Sequence, residues 1–283
     1  MALTWTRKQR KVAADLLTYV VLILVGTVIL VPVAWMVSTA LKPLGDVYLY
    51  PPVWIPNPPQ WDDFRKALTF LPFDKFFLNT AAITFSSVIL QLISSPLIAY
   101  AFARLRARGK DVLFLFVIST MMIPSQVTMV PVFILMKTLG WVNTFAPLIV
   151  PNAFGSAYFI FLLRQFFSTI SGQLDDAARI DGCGYMGIYF RILLPLSKPA
   201  LATVAIFCFM GNWNDFMTPL IYLTSRDRWT VTLGLNAFTG MYGSTAWNLL
   251  MAASLVAILP CIILFFSAQR YFIQGIVVTG IKG

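Results

Sequence analysis

LLTYVVLILVGTVILVPVAWMVSTAL, residues 16–41, passes through 26 positions without one charged side chain. A helix needs about 20 apolar residues to cross the hydrocarbon core of a bilayer, so this stretch alone is long enough to span. Arg7, Lys8, Arg10 and Lys11 precede it in the manner of a signal-peptide n-region. The apolar run is too long for a cleaved h-region, which predicts an anchor that is retained. The same test applied along the chain finds Phe76–Ala103, Val112–Met136, Thr138–Leu163 and Leu249–Gln269 free of charge, and Pro199–Leu223 interrupted by Asp215 alone. The expected fold is an all-α membrane protein of six transmembrane helices.

Composition supports that reading. The chain has 283 residues, 59% hydrophobic and 11% charged, with a mean hydropathy of +0.79. A soluble domain carries about 25% charged residues because its surface must be hydrated, so a soluble enzyme and a disordered chain are both excluded. Lys and Arg number 21 against 11 acids, a net charge of +10. In a chain this apolar the basic excess points to a membrane rather than to nucleic acid. Every acid is Asp, and His is absent, which removes His-based acid–base catalysis and His-ligated metal sites. Cys183, Cys208 and Cys261 have no metal or disulfide spacing and read as small apolar fillers.

Basic residues set the orientation. With the N-terminus inside, fourteen of them fall in cytoplasmic segments and seven outside, placing both termini in the cytoplasm. The expected organisation is an N-terminal segment at 1–15, a six-span domain at 16–272 and a C-terminal tail at 273–283. Two connections exceed what a hairpin needs. The outer one, 42–75, is rich in proline and aromatics, among them Tyr48, Tyr50, Trp54 and Trp61. It reads either as a collar resting in the headgroup zone or as a docking surface for an extracytoplasmic partner.

The cytoplasmic connection, 165–198, contains Ser171-Gly172-Gln173-Leu174-Asp175-Asp176-Ala177-Ala178-Arg179-Ile180-Asp181-Gly182. Ser171 can cap a helix whose first turn holds Asp175 and Asp176, where the dipole favours anions. Two alanines offer a smooth face for close approach, and Gly182 fits the left-handed position that ends a helix. A second apolar stretch follows, punctuated by Pro195 and Pro199, so the connection reads as a short helix, a sharp turn and a second helix held against the membrane. On physics alone this is also what an amphipathic surface helix with a glycine stop looks like.

The run Asp176-Ala177-Ala178-x-x-Asp181-Gly182, with Phe190, Ile192, Leu194-Pro195 and Pro199 downstream, resembles the "EAA" loop of binding-protein-dependent ABC importer permeases. The rest of the chain is similar to the carbohydrate branch, closest to the second permease subunit of maltose-type importers. Tyr100-Ala101-Phe102-Ala103-Arg104-Leu105 resembles its "YAxAR" stretch, and Met122-Ile123-Pro124 its third-span motif. Trp213-Asn214-Asp215-Phe216 with Pro219-Leu220 resembles "WNDF…PL", and Gln269-Arg270-Tyr271-Phe272 through Lys282-Gly283 the C-terminal "QRYF…G…KG". Asp176 stands where the family usually has Glu, one methylene longer, and Cys183 where Ala is common.

The resemblance implies the type I ABC importer permease fold. It makes Asp176, Ala177, Ala178, Asp181 and Gly182 the residues of a coupling helix seated on an ATPase, and it gives Gln269, Arg270 and Lys282 as tail contacts with that ATPase. It also implies the partners: a second permease subunit, two copies of the ATPase and an extracytoplasmic solute-binding protein, in a bacterial or archaeal cell membrane. No GxxxxGK[ST] occurs in the sequence, so this chain is expected to bind no cofactor, with ATP and Mg on the partner ATPase.

Polar groups at bilayer depth are costly and face a bundle interior or a cavity. Gln91, Asn152, Asn212, Asn214 and Asp215 are such groups. Asn152, Asn212 and Asn214 could hydrogen-bond sugar hydroxyls along a translocation path, with Trp213 stacking on the ring. Interhelical bonding is the plainer explanation, favoured for Gln91 and level with the other for Asn212 and Asn214. The alternative function is an autonomous ion-coupled transporter or channel. That class usually shows paired intramembrane acids or an internal repeat of spans, whereas this sequence offers one intramembrane Asp and no obvious repeat.

Overall fold

The computed structural model describes residues 7–240 and 245–280, with the backbone alone at 10 and 270–280. Regular structure among the described residues is helical throughout. In chain order it comprises α1 (Arg7–Ala40), α2 (Asp62–Phe70), α3 (Phe73–Arg104), α4 (Lys110–Met122) and α5 (Ser125–Thr138). There follow α6 (Ala146–Thr169), α7 (Gln173–Ile180), α8 (Tyr185–Leu196), α9 (Lys198–Trp213), α10 (Met217–Tyr222), α11 (Val231–Asn236) and α12 (Trp247–Gly280). Four helices are long and apolar enough to cross a bilayer, namely α1, α3, α6 and Trp247–Gln269 of α12. The number reaches six if the bent pairs α4–α5 and α8–α9 are each one span.

The bends correct two expectations. Val112–Met136 is not one straight run, because α4 and α5 meet at 100°. Pro124 supplies no N–H and drives the residue before it out of helical geometry, and Ile123 is extended at φ −85°, ψ 116°. The fifth apolar run differs at both ends. Its helix begins at Tyr185, turns by 77° beside Ser197 and stops at Trp213, well before Leu223. The stop is chemical: the Asp215 carboxylate accepts the N–H of Thr218 at 3.1 Å and so starts α10 instead. Two boundaries also shift, since α6 runs on to Thr169 and α12 continues to Gly280.

The chain divides into two compact units, the first formed by residues 1–71 and 237–257. In it the proline-rich part of the 42–75 connection is tethered rather than free. Ser38 Oγ donates to the Trp54 carbonyl, and the Trp54 ring meets Trp35 edge-on at 5.0 Å. Gln60 N–H donates to the Leu41 carbonyl at 2.9 Å. Asp63, buried, accepts from Lys66 Nζ at 2.8 Å and Asn248 Nδ2 at 2.7 Å. Trp54, Trp61, Tyr50 and Ile55 remain exposed around these tethers.

The second unit, residues 72–236 and 258–283, is organised along α3, which packs against α6, α9 and α11. Tyr100, Phe167, Tyr189, Leu193 and Val204 meet in one buried cluster, and Ile83, Leu148, Tyr222 and Leu233 in another. A polar seam fastens α3 to α6. Asn152 Nδ2 donates to Ser87 Oγ at 3.1 Å, and Ser94 Oγ donates to the Asn152 carbonyl at 2.9 Å. With its amide oxygen facing the donors, Gln91 accepts from Ser95 Oγ and from Ser156 N–H at 2.8 Å. Gln91 is thus interhelical glue, as expected. The bonds fall where α6 is interrupted at Val150–Gly155, so side chains of α3 satisfy backbone groups that the helix has released.

Close packing yields a first test. A Cβ added at Gly234 on α11 would lie 2.4 Å from the buried Phe76 ring and 3.3 Å from Phe73. Gly234→Ala is expected to cost about 1–3 kcal/mol by overpacking, read as a lower melting temperature in detergent. A second concerns Lys42, whose ammonium is buried without a hydrogen-bond partner among the described residues, 3.8 Å from the Trp35 ring centroid. Burial pushes its pKa below the usual lysine range, and nearby Asp46 offsets part of that. A cation–π contact contributes about 0.5–2 kcal/mol, whereas a buried charge costs several kcal/mol to desolvate. Lys42→Met keeps a stem against Trp35 and removes the charge, so its melting temperature is expected to rise; a fall would mean that the ring contact dominates.

Candidate functional site

The connection at 165–198 folds as the sequence dictates locally. The Ser171 hydroxyl accepts the Gln173 N–H at 3.3 Å, while Gly172 occupies the N-cap position and its carbonyl accepts from Asp175 and Asp176. Both carboxylates therefore lie in the first turn of α7, against the positive end of the helix dipole. At the other end Gly182 has φ +80°. Cys183 N–H donates to the Ala178 carbonyl at 2.8 Å and Gly182 N–H to the Arg179 carbonyl at 3.0 Å. These are the two crossed bonds of a Schellman cap. A Cβ at Gly182 would meet nothing within 4 Å, so the glycine is required by backbone conformation and not by space.

Helical spacing sorts the loop residues into two faces. Asp175 and Ala178, three apart, are buried, while Asp176, Ala177, Arg179, Asp181 and Gly182 are exposed. The smooth face of two alanines is thus one alanine, because Ala178 packs inward. Asp176 pairs loosely with Arg179 at 3.7 Å along its own helix. The outward face also carries apolar side chains that the sequence reading passed over: Ile180 is 87% exposed, with Tyr185 and Met186 more than half exposed beyond the turn.

Asp175 was missed as well. Its carboxylate lies 3.5 Å from Arg104 Nε, with the two side chains only 8% and 11% exposed. Arg104 Nη2 also donates to the Ile170 carbonyl at 2.7 Å, and Tyr100 Oη donates to the Tyr185 carbonyl at 2.9 Å. The signal was available in the three-residue spacing of Asp175 and Ala178, and in the position of Tyr100 and Arg104 one turn apart.

The intramembrane candidates do not converge. Asn152 belongs to the seam between α3 and α6. Asn212 Nδ2 donates to the Cys208 carbonyl and Asn214 Nδ2 to the Met210 carbonyl, each at 2.8 Å within its own helix. Trp213 is buried and stacked on Phe209, with centroids 5.3 Å apart. Asn214 alone is exposed, at an open, largely apolar groove of about 250 Å³ lined also by Met210, Ile258, Cys261, Ile262, Phe265 and Phe266. Gln269 is exposed; the side chain of Arg270, and Lys282 altogether, lie outside the described residues. Among the described residues no three His, Cys, Asp or Glu side chains gather as a metal would need.

Residues 94–278 match the family model described as the binding-protein-dependent transport system inner membrane component. The chain belongs to this family: it is a membrane-embedded permease subunit of an ABC importer. Among curated relatives, it is 40% identical over 208 residues to the arabinooligosaccharides transport system permease protein AraQ of Halalkalibacterium halodurans, covering 74% of each chain. It is 36% identical over 260 residues to the melibiose/raffinose/stachyose import permease protein MelC of Bacillus subtilis, covering 89% of this chain and 91% of the relative. Its fold matches the crystal structure of a bacterial ABC transporter involved in the import of the acidic polysaccharide alginate. The TM-score is 0.81 at 24% identity, covering 95% of this chain and 99% of that one.

The cap predicts an ordered response to substitution. A side chain in left-handed geometry costs about 1–2 kcal/mol, and Asn tolerates it best. Gly182→Asn is expected to keep the slow hydrogen exchange of the Gly182 and Cys183 amides, whereas Gly182→Val accelerates it. Equal exchange in both variants would contradict the cap.

Proposed function

We propose that this chain supplies one half of the translocation path of an ATP-driven carbohydrate importer, with α7 as the helix that couples it to an ATPase. Its partners in this reading are a second permease subunit, two copies of a P-loop ATPase and an extracytoplasmic solute-binding protein. ATP and Mg sit on the ATPase, since this sequence has no phosphate-binding loop. The assembly lies in a bacterial or archaeal cell membrane, crossed six times by this chain, with both termini in the cytoplasm. The sugar assignment is supported by relatives named for arabinooligosaccharides and for melibiose, raffinose and stachyose.

The observation that carries the coupling role is the construction of α7. It is a short helix stopped by a Schellman cap, buried on one side through Asp175 and Ala178, and open on the other through Asp176, Ala177, Ile180 and Asp181. An exposed carboxylate at 176 suits an ion pair with a basic residue of the ATPase, and Ala177 leaves room for close approach. When ATP closes the ATPase dimer, a helix held this way moves as a lever and the spans rock between inward- and outward-facing arrangements.

Purification from the native host in mild detergent is expected to recover a P-loop ATPase and a second multi-span subunit, identified by mass spectrometry. Asp176→Lys places like charges together and is expected to reduce ATPase retention about tenfold, for an interfacial loss of ~1.4 kcal/mol, while the second permease subunit stays bound. Undiminished ATPase retention would remove the ion pair from the reading. Recovery of the chain alone, in a preparation that still transports, would overturn the whole assignment.

A further inference from the structure

We infer that Tyr100 and Arg104, the last turn of α3, form a latch that carries movement of the cytoplasmic loop into α3 and the helices packed on it; the inference rests on α7 being the coupling helix. The two residues are four apart and so share one face of α3. Arg104 holds the arm before the Gly182 turn, through the Ile170 carbonyl at 2.7 Å and the Asp175 carboxylate at 3.5 Å. Tyr100 holds the arm after it, through the Tyr185 carbonyl at 2.9 Å and a ring contact with Tyr189 at 5.2 Å. Both arms of the loop therefore report to a single helical turn.

Burial makes the connection obligatory. The guanidinium and the carboxylate are almost wholly enclosed, and separating them would strand two buried charges. The pair is also stretched at 3.5 Å, since charge-assisted bonds close at about 2.7–2.9 Å, and Arg104 Nε and Asp175 Oδ1 have no hydrogen-bond partner among the described residues. Asp175 is thereby distinct from its neighbour Asp176: one carboxylate faces the helix inside the chain, the other faces outward. Arg104 and Asp175 are positioning residues that act through α3.

The test uses the intact importer purified with its partners, in a background with Cys183, Cys208 and Cys261 replaced by serine. Spin labels are placed at two exposed positions, Arg106→Cys just beyond α3 and Ile180→Cys on α7. With the latch closed, the distance between the labels is narrowly distributed and unchanged by trapping with ATP and vanadate. Asp175→Asn and Arg104→Gln are each expected to broaden it and make it shift on trapping. The double variant is expected to do no more than either single one, and Asp175→Glu, long enough to close the gap, to keep the narrow distribution. Asp175→Asn is isosteric, so its normal abundance in the purified complex guards against a misfolded result.

A shift on trapping without either substitution would overturn the latch, and so would variants that stay narrow. The coupling role of α7 is checked separately, by a photo-crosslinking residue at Ile180. Failure to capture the ATPase would sink that role, whereas capture together with a latch-independent distance would sink the latch alone.

Discussion

Inside hydrocarbon, every backbone N–H and C=O must find its partner within the protein, and the architecture of this chain follows from that constraint. Unbroken helices meet it almost by themselves, as α1 and α3 do apart from the one bond that each loses at Pro32 and Pro96. At two of the breaks the sequence provides a specific side chain to receive what the break releases. At the interruption of α6, Gln91, Ser94 and Ser95 of α3 bind the carbonyl of Asn152 and the N–H of Ser156. At the end of α9, the Asp215 carboxylate takes the Thr218 N–H and Thr232 Oγ1 donates to the Asp215 carbonyl. The polar residues of the apolar segments are, in these instances, the cost of irregular backbone.

That explains which parts of the fold were legible in the sequence. Runs free of charge mark hydrocarbon-compatible segments directly, so α1, α3 and most of α12 followed from counting. The bends did not, because apolarity has no direction. Pro124 announced a break, yet nothing in the run of residues stated an angle of 100°. The helical stretch from Tyr185 was legible as a second helix held against the membrane, since Arg191 and Lys198 fit a helix lying along a surface; the 77° bend that joins it to α9 was not.

The loop shows the same division. Gly182 was identified from chemistry that is local, since a left-handed cap depends on the glycine itself. Asp175 was passed over because its meaning is not local: its partner, Arg104, lies far away in sequence and meets it only once α3 and α7 are assembled. The aromatic and amide candidates of α9 illustrate the reverse. Trp213, Asn212 and Asn214 look like ligands in one dimension, and in three they are engaged by Phe209, Cys208 and Met210 of their own helix.

The groove beside Asn214 has a property that follows from how its lining is already bonded. Asn214 Nδ2 donates to the Met210 carbonyl, and the remaining side chains are thioether, thiol, aliphatic or aromatic. Apart from the Asn214 carboxamide oxygen, nothing in this lining calls for a hydrogen bond from whatever lies against it, and lipid tails and apolar helices are equally acceptable neighbours in a bilayer. Sulfur-bearing and unbranched side chains also adapt their shape at little cost. Such a surface is slippery rather than sticky: it can exchange one apolar neighbour for another without a barrier of broken polar contacts, which is how a bearing differs from a lock.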